Sequence, residues 1–134
     1  MKRPSYVLDS FAVLAYFQAE PSGPVVKDLL KRARADNILA FLSWINLGEI
    51  VYNVGRKLGD TAAAEILTDL FQLPIQLAEA TPERILAAAQ VKAHHAISYA
   101  DAFAVALAQE LEATLVTGDP EFKQIESLIP VLWL

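Results

Sequence analysis

Residues 7–17 read VLDSFAVLAYF. Val7 and Leu8 form the end of a buried strand, and Phe11 to Phe17 an apolar helix. Between them stand one carboxylate, Asp9, and one hydroxyl, Ser10. Aspartate is a good helix N-cap, so the local context explains Asp9 without any function. A second explanation is that the acid is part of a site completed elsewhere in the chain.

The same alternation of short apolar runs and longer helical patterns continues outward from this stretch. SYVL (5–8), ILAF (38–41), PIQL (74–77), TLVT (114–117) and PVLW (130–133) read as strands. Helical patterns fall at 10–19, 22–35, 43–58, 60–72, 82–95 and 98–112. Punctuation supports them: Ser22, Ser43, Thr81 and Ser98 stand at helix starts, Pro24 and Pro82 in first turns, and Gly59 at a helix end. Ser98 with Asp101 makes an S-x-x-D capping pattern before FAVALAQEL. Strands alternating with helices predict a parallel sheet covered on both faces, an α/β/α three-layer sandwich.

Residues 1–134 read as one domain, with 54% apolar residues and no repeat, linker or low-complexity run. The apolar stretches break well before the ~18 residues needed to cross a bilayer, and no signal-peptide pattern is seen, so a cytoplasmic protein away from membranes is expected. The absence of cysteine excludes disulfides, thiolate metal sites and cysteine nucleophiles. A net charge of −5 argues against simple coating of nucleic acid. If four of the sixteen Asp and Glu hold metal, however, twelve face eleven Lys and Arg, and the balance is near neutral.

In an open parallel sheet, sites form beyond the carboxyl ends of strands, where the strand order reverses. Asp9 follows the first strand and Asp119 the fourth. Glu49 and Asp101 sit near the starts of helices that begin at the same edge. Singly, each has a plain reading: Asp9 and Asp119 as caps, Asp101 as the acid of the Ser98 box, Glu49 on a solvated stripe with Asn46, Asn53 and Arg56. The helix after Asp101 is almost wholly small and apolar, so Asp101 is expected to be buried and in need of a partner. A cation supplies one, because a buried unpaired charge is costly. Hard oxygen ligands without cysteine favour Mg²⁺ or Mn²⁺.

The series VLDSFAVLAYF, SWINLGEIVYNV, ISYADAFAVALAQEL and LVTGDPEF resembles the PIN domain, and more narrowly the VapC toxins of toxin–antitoxin pairs. The resemblance implies a sheet in the order 3-2-1-4-5 and a metal-dependent endoribonuclease leaving 5′-phosphate and 3′-hydroxyl ends. It implies that Asp9, Glu49, Asp101 and Asp119 are catalytic acids holding one or two Mg²⁺ or Mn²⁺ ions, with Glu121 as an additional ligand. Ser10 and Thr117 match the family's supporting hydroxyls. A VapB-like antitoxin and a homodimer are implied partners beside the RNA substrate. An RNA-processing role outside toxin–antitoxin pairs, or an inactive PIN-like binding module, is the alternative.

For RNA phosphates the candidates are Arg56 and Lys57, with Lys31, Arg32, Arg34 and Lys92, all of which also suit solvated helix faces. His94 and His95 end a helix, where cationic side chains are favourable. Phe11, Tyr16, Phe17, Trp44, Tyr52 and Phe71 are expected mostly in the core, any exposed remainder suiting a partner. Two other phosphate-handling folds fit less well. A haloacid-dehalogenase-like enzyme needs a second Asp where this chain has Phe11. A response-regulator receiver needs an acidic pair near the first strand and a late strand-end Lys.

Overall fold

Five short apolar runs pair edge to edge into a single sheet in the structure, a computed structural model that describes residues 2–134. They are β1 (Ser5–Leu8), β2 (Leu39–Ser43), β3 (Gln76–Ala78), β4 (Thr114–Thr117) and β5 (Val131–Trp133). All pairings are parallel and the order is β3-β2-β1-β4-β5. β1 therefore lies between β2 and β4, with Val7 opposite Phe41 on one side and Leu115 on the other. The chain builds outward from β1 in one direction and then in the other, so a crevice opens beyond the carboxyl ends of β1 and β4.

Six helices cover the sheet: α1 (Ser10–Phe17), α2 (Gly23–Arg34), α3 (Trp44–Leu58), α4 (Asp60–Leu70), α5 (Pro82–His94) and α6 (Tyr99–Leu111). Side chains alternate across each strand. Val7 and Leu115 enter a core with Phe103, Val105 and Phe122, beneath α5 and α6. Leu8 and Val116 enter the opposite core with Val13, Leu30 and Ile50, beneath α1 to α4. The two cores make the expected three-layer α/β/α sandwich. Among the described residues, no helix is long and apolar enough to cross a membrane.

Most start signals act as read. Ser43, Thr81 and Ser98 accept the N–H groups of Asn46, Arg84 and Asp101 at 3.0, 3.2 and 3.1 Å. Ser22 does not cap with its side chain. Pro24 has no N–H to offer, and the Val25 N–H is taken by the Ser22 carbonyl. The third strand starts later than expected, at Gln76, because Pro74 cannot donate to a ladder and Ile75 turns its N–H back to Leu73. A 3-10 turn, Pro120–Ile125, was not among the expected elements. Four aromatics expected mostly in the core, Phe11, Trp44, Tyr52 and Phe71, are 41–51% exposed. Trp44 and Tyr52 lie on α3 and Phe71 just past the end of α4, while the Phe11 ring lies over Gly118 at the edge of the cleft that Asp9 lines.

α6 is the most enclosed helix, buried from Asp101 through Ala108. Its alanines let it pass closely over the sheet, so added volume has nowhere to go. Ala104→Leu is expected to cost about 1–3 kcal/mol through overpacking, read as a lower urea midpoint. An unchanged midpoint would show that the helix is less tightly held than its burial indicates.

Candidate metal centre

Asp9 caps α1: its Oδ1 accepts the Ala12 N–H at 2.8 Å. Its Oδ2 accepts the Thr117 hydroxyl at 2.5 Å, so one side chain both caps α1 and bonds the end of β4. Thr117, fully buried at the end of β4, also accepts the Asp119 N–H at 3.0 Å. One hydroxyl thus joins the carboxyl ends of β1 and β4. Asp119 in turn caps the 3-10 turn, accepting the Glu121 N–H at 2.9 Å. Each carboxylate oxygen used here retains a second lone pair for another partner.

Between Thr117 and Asp119, a Cβ on Gly118 would lie 2.3 Å from the Phe11 ring, so the glycine lets that ring close over the loop. The α6 capping box is only half as expected. Ser98 accepts the Asp101 N–H, but the Ser98 N–H donates to Glu121 Oε1 at 3.1 Å, not to Asp101. Glu121 reaches in from the 3-10 turn and completes the box. The Asp101 carboxylate is left to face the cleft, only 8% exposed.

Asp101, Asp119 and Glu121 each place one carboxylate oxygen so that all three lie within 4.8 Å of one another. Asp9 and Glu49 line the same cleft, of about 340 Å³, together with Ser10. Glu49 is held from below: the Ser10 hydroxyl donates to its Oε1 and lies 3.2 Å from the Asn46 main-chain carbonyl oxygen. Asn46, read from spacing as part of a solvated stripe, is fully buried instead. Its Oδ1 accepts from Ser43 at 2.7 Å and its Nδ2 donates to the Ala100 carbonyl at 3.1 Å. The stripe turns inward because α3 packs between α1 and α6 at its first turn. Spacing alone carries no signal of this, although a Ser-x-x-Asn at a helix start is a hint.

The basic and imidazole candidates stand elsewhere. Lys31, Arg32, Arg34, Lys92 and His94 are exposed on helix surfaces, and His95 follows the end of α5. Arg56 and Lys57 are exposed on the last turn of α3, with Arg56 5.4 Å from the Tyr52 ring centre. None of these residues lines the acidic cleft.

Five carboxylates therefore share a cleft with no Lys or Arg lining it, and none of the ion pairs among the described residues involves them. Burial pushes Asp9 up to about 7, against the pull of the Thr117 and Ala12 hydrogen bonds and with the charges of Asp119 and Glu49 adding to the rise. Burial also pushes Asp101 up to about 9, reinforced by its hydrogen bond to Glu121 and by the surrounding charges. Such a site lacks positive charge and offers only hard oxygen donors. That donor set fits Mg²⁺ or Mn²⁺.

A family model described as the PIN domain matches residues 6–128. A sequence search of curated proteins finds no match. Among solved structures, the fold is similar to VapBC2 from Rickettsia felis bound to a promoter DNA fragment. There the TM-score is 0.75 at 19% identity, over 96% of this chain and 97% of that one. DNA-bound VapBC from Salmonella typhimurium gives 0.76 at 15% identity, over 96% and 97%. The Mycobacterium tuberculosis VapC20, a toxin that cleaves the sarcin-ricin loop, gives 0.71 at 18% identity, over 88% and 92%.

The raised carboxyl groups set a pH dependence. Both are protonated below the ordinary value of 3.8, folded or unfolded. As pH rises, the unfolded chain releases protons that the fold retains, and the metal-free fold loses stability until about 7 for Asp9 and about 9 for Asp101. A divalent ion binds the deprotonated forms, so its stabilisation grows over the same interval. Thermal melts are expected to show a larger upward shift with Mn²⁺ at pH 8 than at pH 5, and Asp101→Asn to flatten the difference. Equal shifts at both pH values would contradict this electrostatic account.

Proposed function

The chain belongs to the PIN domain family, and from that premise we propose that it is a Mg²⁺- or Mn²⁺-dependent endoribonuclease, the toxin of a VapBC-type pair. The observation that carries this reading is the convergence of Asp9, Glu49, Asp101, Asp119 and Glu121 on one cleft without a cationic side chain. Asp101, Asp119 and Glu121 are the nearest set of ligands, with Asp9 and Glu49 completing the shell directly or through water.

A bound ion would supply Lewis-acid polarisation of the scissile phosphate and acidify water for in-line attack on phosphorus. The chain's own part is placement. Thr117 fixes the Asp9 carboxylate, Ser10 fixes Glu49, and the cap to Ser98 fixes Glu121. The products are a 5′-phosphate and a 3′-hydroxyl. Arg56 continues the stripe of Glu49 and Asn53 along α3, and with Lys57 it would meet RNA phosphates beyond the cleft. Phosphate contacts of this kind position a polyanion without reading its sequence.

A VapB-like antitoxin and a homodimer are the proposed protein partners, in the cytoplasm, with residues 1–134 as one PIN-like domain. The antitoxin reading is supported by the solved VapBC complexes of similar fold. It is also supported by an open groove of about 820 Å³ beside the α1–α2 turn, with Tyr16, Phe17, Pro21, Pro24 and Leu73 in its walls. With Glu20, Lys27 and Asp69 also in the walls, an amphipathic segment of a partner chain suits such a groove.

Asp9→Asn and Asp101→Asn are expected each to lower Mn²⁺-dependent cleavage of a structured RNA by about 100-fold or more while leaving the fold intact. Circular dichroism and a gel-based cleavage assay with a chelator control provide the check. Full cleavage by both folded variants would refute the metal site. Cleavage that is indifferent to the chelator would refute the metal requirement.

A further inference from the structure

Asp9 stands just before α1, Asp101 in the first turn of α6 and Glu49 in the second turn of α3. α1, α3 and α6 all begin at the carboxyl edge of the sheet. The sheet's hydrogen bonds fix its strands, not the distances between these helix starts. The acids repel one another, and the N-terminal dipoles of the three helices also repel. Some directional contact must hold the three starts in register.

Asn46 makes that contact between α3 and α6, and it does so with no exposed surface. Its Nδ2 donates to Ala100, the residue before Asp101 on α6. Its main-chain carbonyl, which any residue here would supply, lies 3.2 Å from the Ser10 hydroxyl on α1, which donates to Glu49. Its Oδ1 accepts from Ser43, whose oxygen accepts the Asn46 N–H in return. Among the described residues, no buried side-chain polar atom lacks a partner. An apolar side chain here would leave the Ser43 hydroxyl and the Ala100 carbonyl without this partner, a cost to stability that any buried amide would carry. What an amide adds is a defined direction toward a neighbouring helix.

We infer that Asn46 is a positioning residue of the acidic cleft: its side chain ties the start of α3 to that of α6, and so sets the spacing of Glu49 and Asp101 and the affinity for a divalent ion. This inference rests on the metal reading given above. It differs from a stabilising role, which would lower the melting temperature but leave ion affinity in the folded protein unchanged.

The test is Mn²⁺ affinity, measured by electron paramagnetic resonance of free Mn²⁺, at a temperature where each variant is fully folded. Asn46→Leu keeps the branched shape without the polar atoms, Asn46→Ala removes both, and Val54→Ala destabilises the core of the same helix away from the clamp. Both Asn46 variants are expected to bind Mn²⁺ about tenfold or more weakly, as removal of a group supporting metal ligands typically does, while Val54→Ala binds as the wild type. Unchanged affinity in both folded Asn46 variants overturns the inference, as does an equal loss in Val54→Ala. If neither Asn46 variant folds, Ser43→Ala, which removes the hydroxyl orienting the amide, carries the same prediction with a smaller loss. Wild-type protein that binds no Mn²⁺ overturns the metal reading itself. Wild-type binding that Asp101→Asn abolishes but the Asn46 variants leave intact overturns this inference alone.

Discussion

Mutual repulsion among carboxylates at one edge of a parallel sheet is the constraint around which the structure is arranged. Five acids line a single cleft, two of them nearly buried, and no Lys or Arg side chain reaches it. Burial first, and the neighbouring charges after it, raise Asp9 and Asp101 toward their protonated forms. A fold that tolerates this cost at neutral pH gains something when the charge is compensated, and a divalent cation compensates it most directly.

The scaffold holds the acids with short-range, directional contacts. Thr117 serves two carboxylate-bearing loops with one hydroxyl, as donor to Asp9 and acceptor from the Asp119 N–H. Glu121 combines a helix-capping bond with a place among the clustered oxygens. Asn46 spans α3 and α6. At Asp9, Asp119 and Glu121 a carboxylate that makes a helix-capping bond also lines the cleft. Capping and site-building are one set of bonds here, so the local and functional explanations of Asp9 do not compete.

Much of this was legible in the sequence because it is locally encoded. Alternating apolar runs and capped helical patterns located all five strands and six helices, and carboxylates following strand ends marked the edge where a site would form. The strand order came from the resemblance carried by four motifs and is the order observed. What escaped depends on contacts between segments distant in the chain. The capping partner of Ser98 is 23 residues away, so the nearer Asp101 looked like its reciprocal acid. Asn46 looked solvated because helical spacing defines a stripe but not which neighbour covers it. The exposure of Trp44 and Phe71 was hidden for the same reason: composition reports apolar surface, not the number of layers available to bury it.

As proposed, the cleft binds a divalent ion through Asp101, Asp119 and Glu121, with Asp9 and Glu49 close by. The most direct test is an anomalous-scattering map from crystals of the protein grown with Mn²⁺ near pH 8. The account predicts a peak within coordinating distance of carboxylate oxygens of Asp101 and Asp119. A well-ordered cleft with no peak, or with Mn²⁺ bound only elsewhere on the surface, would contradict it.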